Sequence, residues 1–119
     1  MKENIIQSKS YAFALKIVKV CRELQKNKKE YLLSNQLLRS GTSIGANIEE
    51  AIGAQSRKDF YAKLCISYKE ARETKYWIRL MTDSAYLNKS ESDSLLKEVE
   101  EILKIIGSIQ LTMKKKTSE

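Results

Sequence analysis

"GTSIGAN", Gly41–Asn47, sets two of the chain's four glycines four positions apart inside a stretch that otherwise reads as helix. Three readings compete: a phosphate-cradling loop, a turn, or a helix surface bared for a neighbour. A Walker-type loop follows a strand and carries a lysine and a hydroxyl directly after its second glycine. Here Gly45 is followed by Ala46 and Asn47, so that reading fails. A turn at Gly41 would scramble the apolar period, yet Leu37, Ile44 and Ile48 stay in phase across it. The helix therefore runs through. Each interior glycine costs roughly 1 kcal/mol relative to alanine. A helix packed against the bare surface at Gly41 and Gly45 offsets that cost, so close helix contact is expected. A second stripe, Gln36, Ser40, Ser43, Asn47 and Glu50, runs beside the apolar one. It is either solvated or hydrogen-bonded across to a partner helix.

Outward from this segment the same logic holds. The 119 residues suit a single domain, 1–119, and contain no proline, which favours long helices over strands and turns. Apolar periodicity and punctuation place four helices at about 5–27, 30–54, 57–86 and 91–113, with a frayed tail over 114–119. Ser56 with Asp59 and Ser90 with Asp93 have the spacing of a capping residue and a first-turn carboxylate, marking the third and fourth helix starts. Short connections between helices of similar length predict an all-α, antiparallel up-down-up-down four-helix bundle.

Composition narrows the chemistry. With no histidine, the chain lacks the usual general base and the commonest metal ligand. Adjacent carboxylates such as Glu49–Glu50 and Glu100–Glu101 diverge on a helix and suit no di-metal site, so neither catalysis nor a cofactor is expected. Cys21 and Cys65 sit within helical patterns and read as reduced, structural thiols. The most apolar N-terminal run, "AFALKIVKV", is interrupted by Lys16 and Lys19 and is too short to cross a bilayer, so no membrane association and a cytoplasmic location are expected.

The formal charge is +7, and the excess lies outside the last 30 residues, where five cations meet six carboxylates. Such a balance suits a polyanionic partner, or simply solubility. Tyr61, Tyr68, Arg72, Lys75 and Arg79 share one flank of the third helix, with Lys69 and Tyr76 beside it, interleaving charge with rings able to stack on bases. The alternative is that these cations pair with the acidic fourth helix while the tyrosines line the bundle edge. Lys26, Lys28 and Lys29, and the tail Lys114, Lys115 and Lys116, would strengthen any contact with RNA or DNA without lending it specificity. Ile66, Trp77 and Leu80 form a second apolar patch outside the main heptad. Either the third helix sits centrally, or the patch packs on another subunit. Interface candidates are thus Gly41, Gly45 and Asn47 on the second helix, and Ile66, Trp77 and Leu80 on the third.

"LLRSGTSIGANIEEA", residues 37–51, resembles the signature of four-helix-bundle proteins encoded in intervening sequences of bacterial 23S ribosomal RNA genes. "YKEARETKYWIRLMTDSAYL", residues 68–87, is similar to that family's second block. Where the family motif usually has alanine and then glycine around the acidic residue after Asn-Ile, this chain has Glu49 and Ala51. The resemblance implies an antiparallel bundle assembled as a homopentamer. It also implies kinship with accessory variability proteins of diversity-generating retroelements, which associate with a reverse transcriptase and nucleic acid. It implies no enzyme.

Overall fold

The stripe Ile6, Phe13, Ile17, Cys21 and Leu24 is buried along its length, and it builds the first helix, α1 (Ile5–Lys28). Three more follow: α2 (Leu32–Ile52), α3 (Arg57–Asp83) and α4 (Lys89–Ser118). The structure is a computed structural model that describes residues 4–118, with side chains through Lys115. Each helix packs closely on two others: α1 on α2 and α4, and α3 on α2 and α4, with no close backbone approach across either diagonal among the described residues. The result is the all-α, four-helix up-down-up-down bundle, a rod of 51 × 24 × 21 Å. Its core is aliphatic, with Phe13, Leu37, Ile44, Leu64, Ile78 and Ile106 among the fully enclosed side chains.

The helix ends have identifiable causes. Lys29 turns left-handed at φ 55° to end α1. Glu30, nearly buried, then accepts hydrogen bonds from the N–H groups of Leu33 (2.9 Å) and Ser34 (2.7 Å), so α2 begins at Leu32 rather than near residue 30. Beside this junction the Cys21 thiol donates to the Ser34 carbonyl at 3.3 Å, and burial, reinforced by the Glu30 charge, pushes its pKa up to about 12. Ser56 caps α3 as expected, its hydroxyl accepting from the Asp59 N–H at 3.0 Å. α3 stops at Asp83, short of 86, because Ala85 turns left-handed at φ 70° and the Tyr86 and Leu87 N–H groups return to the Met81 carbonyl.

The fourth cap differs from expectation. Asn88 accepts from the Glu91 N–H at 2.8 Å while the Glu91 carboxylate accepts from the Asn88 N–H at 3.1 Å. This reciprocal box starts α4 at Lys89 and leaves Ser90 inside the helix. Nor does the helix end at 113: α4 continues to Ser118, and Glu119 lies outside the described residues.

The two glycines of "GTSIGAN" face α1. A Cβ at Gly41 would stand 2.9 Å from both Cγ atoms of Ile17, and one at Gly45 would stand 3.4 Å from the Ser10 carbonyl oxygen. The bare surface is thus consumed within the monomer. On the adjoining side of α2 the polar stripe divides. Ser40 is buried and accepts from the Thr74 hydroxyl at 2.9 Å, and Glu50 pairs with Lys63 of α3 at 2.8 Å. Ser43 and Asn47 instead turn back to carbonyls of their own helix, so the half-buried Asn47 amide makes no cross-helix bond to a described residue.

Candidate nucleic-acid interface

The site is a matter of where carboxylates go. α4 carries the acidic side chains that might have neutralised α3, but most of them are engaged elsewhere. Glu101 pairs with Lys9 of α1 at 3.1 Å, Glu98 pairs with Lys16 of α1, Asp93 pairs with Lys89 at 3.0 Å, and Glu91 serves the Asn88 cap. Only Glu100 reaches α3, at 3.2 Å from Lys75. The α2/α3 seam is likewise balanced, with Arg39 held between Glu70 (3.2 Å) and Glu73, and Lys63 on Glu50. The Glu50 carboxylate holds the Lys63 pKa above its ordinary value.

The α3/α4 face keeps its charge. Arg72 and Arg79 are exposed and form no ion pair with a described residue, and the same is true of Lys97 and Lys104 on α4. Of the cation flank read from the sequence, then, the structure pairs Lys75 with α4 and leaves both arginines open. Lys97 and Lys104 lie on α4 in a shallow depression that Asp93, Glu100 and Glu101 also line; their seven-residue spacing was the available signal, and the reading of α4 as an acidic partner obscured it.

The tyrosines are less available than the cations. Tyr68 lies across Gly107, whose Cβ would sit 3.6 Å from the ring. Partial burial first, and a hydrogen bond with Cys65 second, raise the Tyr61 phenol above its ordinary pKa. Gln110 of α4 in turn donates to the Cys65 sulfur at 3.4 Å, fastening this end of the seam. Both rings are half-buried, while Tyr76 is 55% exposed.

Lys26, Lys28 and Lys29 are exposed at the opposite end of α1, where Lys28 donates to the Tyr86 carbonyl at 2.9 Å beside the α3–α4 turn. Lys115 is exposed, and the side chain of Lys116 lies outside the described residues. Ile66 and Leu80 remain over a third exposed on the outer side of α3. Trp77 is half-buried against the core, its Nε1 donating to Glu73 at 2.9 Å. Since α3 has two helix neighbours like every other helix, a central position does not account for this patch. No helix among the described residues is long and apolar enough to cross a membrane.

A solved crystal structure of a protein of unknown function from the S23 ribosomal protein family of Bacteroides thetaiotaomicron VPI-5482 superposes with a TM-score of 0.87. It is 46% identical, over 88% of this chain and 97% of that one. A comparison with curated proteins gave no match. The helix order, the in-phase glycine segment and a match over residues 2–108 converge: the chain belongs to the 23S rRNA-intervening sequence protein family.

Proposed function

We propose that this protein is a non-enzymatic, cytoplasmic homo-oligomer that associates with RNA, or with a protein that handles nucleic acid, through its α3/α4 face. One observation carries the reading: α4 spends Glu98 and Glu101 on α1, while Arg72 and Arg79 of α3 and Lys97 and Lys104 of α4 are exposed and form no ion pair with a described residue. Phosphates replace counterions at such a face, and that release drives sequence-independent binding. Assembly, as the pentamer that the family resemblance implies, would repeat the face in every subunit and multiply a weak contact. A purely structural oligomer is the second reading, favoured by the exposed Ile66 and Leu80 beside Trp77.

Titration of a structured RNA across a range of salt separates the two. The apparent affinity is expected to fall as a power of salt concentration, and Arg72→Gln with Arg79→Gln to weaken binding and flatten the slope by about one per lost contact. Binding that is absent at about 50 mM salt, or unchanged in the double variant, overturns the nucleic-acid reading.

A further inference from the structure

The kind of nucleic acid is legible in what surrounds the open cations. Proteins that track single strands provide a series of aromatic platforms on which successive bases stack. On this face Tyr68 lies against Gly107, and both it and Tyr61 are half-buried, so neither ring is fully open to a base. The exposed ring, Tyr76, is engaged in a T-shaped contact with Trp77, the centroids 5.0 Å apart. The face is thus poor in stacking surface and rich in charge.

Its charge is arranged in two rows. Arg72 and Arg79 are seven residues apart on α3, and Lys97 and Lys104 are seven apart on α4, so each row steps by about 10 Å. The rows run along neighbouring helices, whose axes lie about 8–10 Å apart. Paired rows on a straight rod suit two phosphate strands facing each other across a groove, as a duplex presents them, better than one flexible strand. Glu100, paired with Lys75 of α3 and 52% exposed, lines a shallow depression of α4 together with Lys97 and Lys104, and with Asp93 and Glu101. A carboxylate among cations repels phosphates, but it accepts a hydrogen bond from a hydroxyl. The 2′-hydroxyl is the donor that an RNA backbone has and a DNA backbone lacks.

We infer that the α3/α4 face binds double-stranded RNA: the four cations hold phosphates of both strands, and Glu100, beside Lys97 and Lys104, accepts from a 2′-hydroxyl. This rests on the nucleic-acid reading above and specifies its substrate. The test uses the full chain at one salt concentration with four probes: an RNA duplex of about 20 base pairs, each of its strands alone, and the DNA duplex of the same sequence. The RNA duplex is expected to bind about tenfold or more tighter than either strand, and tighter than the DNA duplex. Glu100→Ala is expected to narrow the ratio between RNA and DNA duplexes, and Tyr76→Ala to leave RNA-duplex affinity unchanged, with circular dichroism confirming that both variants fold. Single strands that bind as tightly as the duplex, a loss of duplex affinity in Tyr76→Ala, or an RNA-to-DNA ratio untouched by Glu100→Ala overturn the inference while leaving nucleic-acid binding in place. Failure of all four probes to bind takes down the broader reading, and this one with it.

Discussion

Gly41 and Gly45 lie four residues apart on α2 and both face α1, yet they will not tolerate a methyl group equally. At Gly41 the new Cβ meets the branched end of Ile17, which is fully enclosed and cannot swing aside. Gly41→Ala is therefore expected to cost about 1–3 kcal/mol through overpacking. At Gly45 the nearest atoms, at 3.4 Å, are the carbonyl and hydroxyl oxygens of Ser10. Gly45→Ala should relieve the backbone entropy of a helical glycine and gain up to about 1 kcal/mol. Urea midpoints of the two variants check this, and a higher midpoint for Gly41→Ala would sink the steric account. That a helix runs through "GTSIGAN" was legible in the phase of Leu37, Ile44 and Ile48. That the two glycines differ was not, because the distance to α1 depends on how two helices register, which no local period encodes. Ser40 was obscured for a related reason: a hydroxyl in a polar stripe looks solvated until Thr74 arrives from α3.

Helix starts show where local signals suffice and where they compete. Ser56 stands alone as a cap in its segment, so its role was readable from the Ser56–Asp59 spacing. Before α4, Asn88 with Glu91 and Ser90 with Asp93 offer the same spacing two residues apart. The earlier pair wins in the structure, where backbone N–H groups at both ends of the box are satisfied reciprocally. Asn88→Ala is accordingly expected to lower stability by about 1 kcal/mol, and Ser90→Ala, at an exposed position within the helix, to leave it nearly unchanged. Chemical denaturation of the two variants distinguishes the caps, and the reverse order of effects would restore Ser90 to the role the sequence suggested. Basic residues on α3 were equally visible from helical spacing. Which carboxylates would answer them was not, since Glu98 and Glu101 might face either neighbour until the rotation of α4 is known.

At the scale of the molecule the open question is assembly. Ile66 and Leu80 stay exposed on the outer side of α3 although the four helices have closed their own core. Light scattering on the purified protein is expected to report the mass of a pentamer, and Ile66→Glu with Leu80→Glu to shift it toward monomer. Trp77 is a poorer probe, because its ring also packs on the core of its own subunit and its Nε1 binds Glu73. A monomeric wild type at micromolar concentration would refute the assembly, and an unaltered mass in the double variant would refute this patch as its seat. The route by which the bundle closes follows from one further feature. Three of its four seams join helices consecutive in the chain, whereas the fourth ties α1 to α4 through Lys9–Glu101 and Lys16–Glu98, across 92 and 82 residues. Hairpins of consecutive helices need little loop entropy to form, but this seam must first bring distant parts of the chain together. The rod is thus a folded strip laced along one edge by two charged clasps, which should be the slowest seam to close and should loosen as salt rises.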